Sequence, residues 1–162
     1  MKAKVAVYPG HFDPFTLGHL NIVRRAEKVF DHVVVAVAED SPKKAMFTPE
    51  ERVELISSVF KGAGHIEVDR FHGLLITYLR QKKATILIRG IRTVSDFEYE
   101  YQMALANKTL AEDIETFFMM TEGNYSYLSS TVIKEIARLG GDISRMVPKE
   151  IARRVRKKYE NQ

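Results

Sequence analysis

The residues best suited to chemistry form a Thr-Leu-Gly-His motif at positions 16–19. A Val-rich apolar run over residues 5–8 comes first, Pro9-Gly10 interrupts it, and an amphipathic pattern continues from the glycine of the motif to Phe30. This order predicts a strand, a tight loop and a helix. The first N–H groups of a helix lack intrahelical partners and its macrodipole is positive there, so this helix end suits an anion. His19 could simply cap its own helix, but its setting favours phosphate chemistry.

The composition limits the kind of protein. The chain has 162 residues, 45% of them hydrophobic, which is enough for one domain with a sizeable core and too few for two. It has no cysteine, which excludes disulfides and thiolate metal sites and suits a reducing compartment. The apolar run before Pro9 is too short for a signal peptide, and the longest run, residues 33–38, is too short for a membrane span. We therefore expect one soluble, cytoplasmic domain over residues 1–162, with no membrane partner.

The net charge of +4 comes from the end of the chain. Residues 148–162 contain six basic and two acidic residues, so residues 1–147 are neutral overall. The basic segment lacks interleaved aromatic residues, and such a run is most often a solvated helix face. We therefore expect a basic C-terminal helix over about 148–160 and no nucleic-acid partner.

Strand and helix patterns alternate along the chain. Capping boxes at Thr48–Glu51 and Ser95–Glu98 mark the starts of two helices. The alternation predicts an α/β protein with a doubly wound, five-stranded parallel sheet and C-terminal helices. The predicted strands cover residues 5–8, 32–38, 66–70, 85–88 and 114–120, and the predicted helices cover residues 18–30, 49–60, 74–82, 95–109, 129–139 and 148–160.

Polar clusters follow each predicted strand. Ligands of doubly wound sheets bind beyond the carboxyl ends of the strands, at the switch in strand order. We therefore expect these clusters to share one crevice. They lie at residues 9–19, 39–44, 72–73, 89–92 and 121–130.

Two arginines, Arg89 and Arg92, flank a Gly-Ile pair just after the fourth predicted strand. Arginine suits phosphate because its planar fork donates two parallel hydrogen bonds. Pairing of these arginines with Asp96 or Glu98 is the structural alternative. We favour phosphate binding, because a strand end is a costly place for an idle charge.

Three further clusters each allow two interpretations. Lys43-Lys44 is either a solvated pair or a phosphate clamp. Hydroxyl groups at Ser126 and in the segment 128–131 either cap a helix or form a second phosphate-binding helix end, and three consecutive hydroxyls favour the latter. Glu100 is either a helical acid paired with a cation or a polar contact to a nucleotide.

Several kinds of enzyme are excluded. The Walker pattern and the Gly-x-Gly-x-x-Gly pattern are both absent, and the five histidines (11, 19, 32, 65 and 72) lack metal-ligand spacing. No serine has a histidine close by in the sequence to activate it. The remaining groups are cations and N–H donors, which suffice for phosphoryl or nucleotidyl transfer with a divalent ion.

Two motifs resemble those of the nucleotidylyltransferase superfamily: Thr-Leu-Gly-His at 16–19 and Ser-Ser-Thr-Val-Ile-Lys at 129–134. Over essentially its whole length the chain is more closely similar to the bacterial phosphopantetheine adenylyltransferase family. The resemblance implies a Rossmann-like nucleotidyltransferase fold. It rests on the order and spacing of Tyr-Pro-Gly (8–10), Phe-Asp-Pro (12–14), Lys-Lys (43–44), Met-Phe-Thr (46–48), Glu-Glu-Arg (50–52), Ile-Arg-Gly-Ile-Arg (88–92), Asp-Phe-Glu-Tyr-Glu (96–100), Tyr-Ser (125–126), Gly-Gly-Asp (140–142) and Val-Pro (147–148).

The resemblance also implies a reaction. An adenylyl group would pass from Mg-ATP to 4′-phosphopantetheine, giving dephospho-coenzyme A and pyrophosphate in coenzyme A biosynthesis. The acceptor phosphate would attack the α-phosphorus directly, with no covalent enzyme intermediate. Mg²⁺ is the implied cofactor, dephospho-coenzyme A or coenzyme A the implied product or regulator, and a homohexamer the implied assembly.

Residue roles follow from the same resemblance. It implies that His19, Lys43 and Arg92 are catalytic, with His19 stabilising the pentacoordinate transition state. The acceptor side would consist of His11, Lys43 and Arg89 at the phosphate and Leu75 along the pantetheine arm. The implied ATP-binding residues are His11, Phe12, His19, Gly90, Ile91, Arg92, Glu100, Tyr125, Ser126, Tyr127, Leu128, Ser129, Ser130 and Thr131.

One position departs from the family pattern. His11 stands where the family has Ser or Thr, whose hydroxyl contacts phosphate. Imidazole donates one hydrogen bond when neutral and two when protonated, but it is far bulkier. We therefore expect weakened turnover with folding intact.

Three other functions stay open at this point. The first is an adenylyltransferase or cytidylyltransferase for another phosphate acceptor, such as nicotinate mononucleotide, although residues 88–100 favour the pantetheine acceptor. The second is a catalytically weak nucleotide-binding module, suggested by His11. The third is RNA binding through the basic tail.

Overall fold

The computed structural model describes residues 3–40 and 45–160. Within these ranges it has five strands: β1 (Val5–Gly10), β2 (His32–Ala38), β3 (Ile66–Phe71), β4 (Ile86–Ile91) and β5 (Glu115–Met120). They form one sheet in the order β3-β2-β1-β4-β5, and each neighbouring pair is parallel. From β1 the chain adds β2 and β3 on one side, and it then crosses back to add β4 and β5 on the other side of β1. This confirms the doubly wound, five-stranded parallel sheet.

Helices cover both faces of the sheet. Those built from the described residues are α1 (Leu17–Ala26), α2 (Pro49–Val59), α3 (Leu75–Gln81), α4 (Val94–Leu110), α5 (Ser130–Arg138) and α6 (Lys149–Glu160). A single 3₁₀ turn, Gly123–Tyr125, precedes α5. In the chain segments 3–40 and 45–160, no helix is long and apolar enough to cross a membrane.

Alternate side chains of the central strands enter two separate apolar cores. From β2, Val33, Val35 and Val37 pack with α1, α2, α5 and α6 on one face, while Val34 and Ala36 pack with α3 on the other. All five are fully buried. A strand buried on both faces has no polar face, which explains the continuous β-branched sequence.

Strand β1 is longer and helix α1 shorter than predicted. Pro9 and Gly10 continue β1 and pair with β2, instead of breaking the strand. Because β1 pairs with β4 only over residues 6–7, the missing N–H of Pro9 leaves no gap on that side. Helix α1 ends at Ala26 and not near Phe30, because the N–H groups of Lys28 and Val29 bond to carbonyls three residues back.

The start of α4 also differs from the prediction. The capping box predicted at Ser95–Glu98 is wrong, because Thr93 caps the helix and its hydroxyl oxygen accepts the N–H of Asp96 at 3.1 Å. Strand β4 continues to Ile91, since its pairing with β5 persists to the end, so the Arg-Gly-Ile sequence lies in the strand and not after it. The capping box predicted at Thr48–Glu51 is confirmed at α2.

Candidate active site

A cavity of about 480 Å³ opens beyond the carboxyl ends of β1 and β4. The strand order reverses between these two strands, which is the position that favours ligand binding in such sheets. Its wall combines the loop after β1, the end of β4, the start of α4 and the N-terminus of α5. The predicted site residues that line it are His11, Phe12, His19, Arg89, Gly90, Arg92, Glu100, Leu128, Ser129, Ser130 and Thr131.

Some predicted ATP-binding residues do not line this cavity. Ile91 is buried, with 1% of its surface exposed. Residues 125–127 form the turn before α5 and lie outside the cavity wall. The hydroxyl of Ser126 donates to the carbonyl of Gly123 at 2.9 Å, so it stabilises that turn.

The predicted acceptor residues are only partly brought together. Leu75 lines a smaller pocket of about 90 Å³, which shares Arg89 and Glu100 with the main cavity. Arg89 and Glu100 therefore border both hollows. Lys43 lies outside the described residues.

A capping box fixes His19 at the start of α1. Oγ1 of Thr16 accepts the N–H of His19 at 3.2 Å, and Nδ1 of His19 accepts the N–H of Thr16 at 3.0 Å. A backbone N–H can only donate, so Nδ1 is the unprotonated nitrogen and the neutral ring carries its hydrogen on Nε2. The ring therefore caps its helix and also lines the cavity, and its role in phosphate chemistry stays a prediction.

The surroundings keep His19 neutral. Burial and the positive charges of Arg92 and Arg89 lower the pKa of its imidazole from 6.5 to about 3. Such a ring is a poor proton acceptor near pH 7, but it can donate through Nε2. Fixed donors of this kind stabilise negative charge that develops on an oxygen in a transition state.

Aromatic packing holds the imidazole in place. The ring of Phe12 meets that of His19 edge to face at a centroid distance of 5.0 Å, and Phe15 lies at 5.4 Å. Phe12 has a φ of 52°, in the left-handed region that bulky residues rarely adopt. Gly10 makes room for it, because a Cβ there would lie 2.8 Å from the ring of Phe12. The loop therefore keeps Phe12 against His19 despite local backbone strain.

A carboxylate from α4 holds Arg89 at the cavity wall. The guanidinium makes a bidentate pair with Glu100 and donates to the carbonyl of Pro9 at 3.1 Å. The side chains of Arg89 and Glu100 are 27% and 12% exposed. Although burial opposes it, the Glu100 carboxylate raises the pKa of Arg89, which therefore stays charged. Of the two interpretations of Glu100, the structure shows the acid paired with a cation.

Arg92 connects the end of β4 with the approach to α5. Its Nε donates to Asp96 at 2.9 Å, and a terminal nitrogen donates to the carbonyl of Leu128 at 2.9 Å. Pairing with Asp96, the less favoured alternative, is thus observed, because Arg92 lies just before α4 and Asp96 lies in its first turn. Although burial works against it, Arg92 lowers the pKa of Asp96. The guanidinium still lines the cavity, with 38% of its side chain exposed.

The N-terminus of α5 forms the opposite wall. The hydroxyl oxygen of Ser129 accepts the N–H of Val132 at 3.1 Å and caps the helix. The hydroxyl of Ser130 donates to the carbonyl of Pro14 at 2.8 Å, which ties α5 to the loop after β1. Both hydroxyls therefore have structural partners. The N–H groups of Ser130 and Thr131 in the first turn, which have no intrahelical partner, remain as donors for an anion.

Asp13 is a cavity residue to which sequence reasoning gave no role. Its carboxylate, 7% exposed, accepts the N–H groups of Met46 and Phe47 at 2.9 and 3.0 Å and pairs with Nζ of Lys134 at 3.0 Å. It thereby joins the loop after β1, the chain before α2, and α5. The Phe-Asp-Pro sequence was the only sign of this residue in the sequence. The hydrogen-bond partners of Asp13 lie far away along the chain, so spacing could not identify them.

His11 lines the cavity with an exposed side chain. Partial burial and the positive charge of Arg52 lower the pKa of its imidazole, although a hydrogen bond with the backbone of Ala38 raises it. His11 is therefore neutral near pH 7 and offers no fixed positive charge to a phosphate.

Known proteins resemble this chain over nearly its full length. A family model described as cytidylyltransferase-like matches residues 7–136. A phosphopantetheine adenylyltransferase from Moorella thermoacetica is 53% identical over 156 residues, which cover 96% of this chain and 98% of that protein. One from Geobacter sulfurreducens is 50% identical over 159 residues, which cover 98% and 97%. One from Leptospira biflexa is 48% identical over 155 residues, which cover 96% and 97%.

A solved structure shares the fold. It is a crystal structure from Vibrio parahaemolyticus, described under a provisional assignment as a nicotinate-nucleotide adenylyltransferase. The TM-score is 0.64, with 95% of this chain and 99% of that chain covered, and the sequence identity is 19%. This likeness confirms a Rossmann-like, nucleotidyltransferase type of fold.

Proposed function

The chain belongs to the phosphopantetheine adenylyltransferase family, and we propose that it transfers the adenylyl group of ATP to 4′-phosphopantetheine, a step of coenzyme A biosynthesis. The products would be dephospho-coenzyme A and pyrophosphate. The observation that carries the proposal is that His19, Arg89 and Ser129, far apart in the sequence, line one cavity at the switch point of the sheet. Their separation on different faces of the molecule would have ruled out a shared reaction centre.

The triphosphate would bind between two helix ends. The N-termini of α1 and α5 both line the cavity, through Gly18 and His19 and through residues 129–131, so their positive dipole ends lie beside it. His19 would donate through Nε2 to an oxygen of the α-phosphate, and Arg92 would balance charge on the leaving pyrophosphate. These groups stabilise negative charge without gaining or losing a proton.

The acceptor would bind on the β4 side. Arg89 supplies a fixed cation for the phosphate of 4′-phosphopantetheine, and Lys43, outside the described residues, is proposed as its partner. The smaller pocket begins at Arg89 and is lined by Leu75, Met103 and Asn107, so it offers apolar contacts and one amide group. This combination suits a pantetheine arm, which is an apolar chain interrupted by amides.

The transfer would be direct. A phosphate oxygen of the acceptor forms a bond to the α-phosphorus while the bond to the β-phosphate bridging oxygen breaks, and pyrophosphate carries the electron pair away. The hydroxyls of Ser129 and Ser130 are engaged with the backbone, and Nδ1 of His19 is engaged with Thr16. No proton has to be removed from an ionised acceptor phosphate, so positioning and charge stabilisation are sufficient.

A magnesium ion fits this site only when it binds together with the nucleotide. The carboxylates in the cavity are engaged, Asp13 with Lys134, Asp96 with Arg92 and Glu100 with Arg89. Magnesium in nucleotide sites is commonly held by substrate phosphates and water with few protein ligands, which suits this donor set. Bound there, the ion would neutralise phosphate charge.

We propose further that the protein self-associates, with a homohexamer as the expected form, in the reducing cytoplasm. Support comes from large apolar side chains that stay exposed on α4 and β5, among them Phe97, Tyr101, Phe117 and Met120. Sedimentation tests the self-association.

Coenzyme A, which contains the pantetheine arm and the adenylyl group, would compete for the same cavity as product or regulator. Inhibition of pyrophosphate release by added coenzyme A tests the competition.

The test of the reaction is pyrophosphate release from ATP and magnesium, with and without 4′-phosphopantetheine. Nicotinate mononucleotide is the matched control acceptor. We expect release only with 4′-phosphopantetheine and a dephospho-coenzyme A product identified by mass. Release with the other acceptor alone, or ATP binding without turnover, would contradict the proposal.

A second measurement addresses His11. We expect that exchanging it for Ser or Thr raises turnover, because a small hydroxyl donor would replace a bulky, neutral ring beside the acceptor phosphate. Unchanged turnover would mean that the imidazole is tolerated or used.

A further inference from the structure

Arg52 is a cation buried beneath the loop that follows β1. Only 2% of its surface is exposed, the least expected state for an arginine. One terminal nitrogen donates to the carbonyls of His11 at 2.7 Å and Ala38 at 3.0 Å, and Nε donates to the carbonyl of Thr48 at 3.4 Å. In the part of the chain that the structure describes, its hydrogen-bond partners are all backbone carbonyls.

These three carbonyls belong to three different places in the wall. His11 lies in the loop after β1, Ala38 is the last residue of β2, and Thr48 is the N-cap of α2. The guanidinium therefore joins the end of β2 and the N-cap of α2 to the backbone at His11.

The charge of Arg52 also reaches the cavity. A buried cation is costly unless other groups compensate for it, and carbonyl dipoles compensate only in part. The carboxylates of Asp13, Glu50 and Glu39 also favour the charged form of Arg52. Burial and the positive charge of Arg52 lower the pKa of the cavity residue His11, while Asp13 raises it. The same field that disfavours a proton at this place favours an anion there.

We infer that Arg52 is a positioning residue for the acceptor phosphate, acting through the backbone at His11 and through its own charge. The inference rests on the proposed adenylyl transfer and adds a residue that does not touch the substrate. A purely structural arginine would affect both substrates alike. A positioning arginine on the acceptor side would affect the acceptor selectively.

Two variants separate the charge from the geometry. Arg52→Gln removes the charge, while Arg52→Lys keeps the charge and loses the planar fork. The exposed Arg80 at the end of α3 provides the matched control, Arg80→Gln. For each protein we would measure the KM for 4′-phosphopantetheine, the KM for ATP, the thermal midpoint, and the pKa of His11 by NMR.

We expect Arg52→Gln to raise the KM for 4′-phosphopantetheine by roughly tenfold, through lost charge attraction, with little change for ATP. We also expect the pKa of His11 to rise in this variant. Arg52→Lys should raise the acceptor KM less and leave the pKa of His11 low. Arg80→Gln should leave all four quantities unchanged.

Equal changes in the two KM values, or a pKa of His11 that does not move in Arg52→Gln, would overturn the inference. Should Arg52→Gln not fold, Arg52→Lys decides: equal changes for both substrates overturn the inference, and a selective change for the acceptor supports it. A wild-type protein inactive with 4′-phosphopantetheine would contradict the proposed function instead. The NMR titration of His11 still tests the field of Arg52 in that case.

Discussion

The two halves of the cavity are built by different means. On the triphosphate side, His19 and Ser129 are held by hydrogen bonds to residues three positions away along the chain. On the acceptor side, Arg89 is held by a carboxylate of another element and by a carbonyl of another strand. The first half works through dipoles, a neutral ring and the cation of Arg92, which pairs with Asp96 four residues along the chain. The second works through a full charge that is neutralised by Glu100.

This difference has consequences for the behaviour of each half. Capping boxes form from local sequence and keep their geometry without ligand. An ion pair between elements stabilises the fold and also places a cation in the cavity, so its removal should affect stability and binding together. The four predictions below test this contrast.

The largest effect is expected for His19→Ala. This variant removes the Nε2–H donor from the triphosphate side, and loss of one such donor lowers kcat on the order of 10²–10³-fold. The KM for 4′-phosphopantetheine should change little, because the acceptor side stays intact. Steady-state kinetics with both substrates varied provide the measurement. A change in the KM for 4′-phosphopantetheine alone would contradict the division of the cavity into a triphosphate side and an acceptor side.

The next effect is expected for Arg89→Gln. It leaves Glu100 as a nearly buried carboxylate without its cation, so the free energy of unfolding should fall by about 3 kcal/mol and the acceptor KM should rise. The double variant Arg89→Gln with Glu100→Gln should regain most of the stability without regaining acceptor binding. Urea unfolding and steady-state kinetics measure both, and a double variant with wild-type acceptor KM would exclude Arg89 from acceptor binding.

The third prediction concerns pH and His19. Its pKa is lower in the folded protein, so the unfolded chain takes up the proton first. The stability from the neutral ring is complete above about pH 6.5 and is lost toward about pH 3, with a loss of roughly 1.5 kcal/mol between pH 6.5 and pH 5. Urea unfolding of wild type and His19→Gln should show this difference, and identical pH profiles would contradict it.

The smallest effect is expected for two matched helix caps. Ser129→Ala and Thr48→Ala should each lower the free energy of unfolding by about 1 kcal/mol, since each removes an N-cap hydroxyl. Only Ser129→Ala should also raise the KM for ATP, because α5 borders the cavity and the hydroxyl of Thr48 does not line it. Equal kinetic effects of the two substitutions would show that α5 has no special role in ATP binding.

The same contrast explains how much the sequence could predict. Alternating strand and helix patterns predicted the sheet, and the motif from Thr16 to His19 predicted the helix start that lines the cavity, because both are local features. For Glu100, pairing with an unnamed cation stayed one of two interpretations, and Arg89 was not identified as its partner. The pairing of Arg92 with Asp96 was the less favoured interpretation. Charged partners are chosen by tertiary packing, which spacing along the chain does not encode.

The limits of the prediction are clearest at Asp13 and at strand β4. Asp13 accepts three hydrogen bonds from two remote segments, so no local pattern could reveal its role. Strand β4 continues past its apolar run because β5 keeps pairing with it, which carries Arg89 into the strand. Strand ends depend on the neighbouring strand as much as on their own residues.

The central claim is that the cavity holds both substrates in line and that no protein group bonds to the α-phosphorus. The most direct measurement is the stereochemical course of transfer from ATP carrying a chiral sulfur-substituted α-phosphate. A single direct displacement predicts inversion at phosphorus in the dephospho-coenzyme A product. Retention would require two displacements through a covalent enzyme intermediate and would contradict the account.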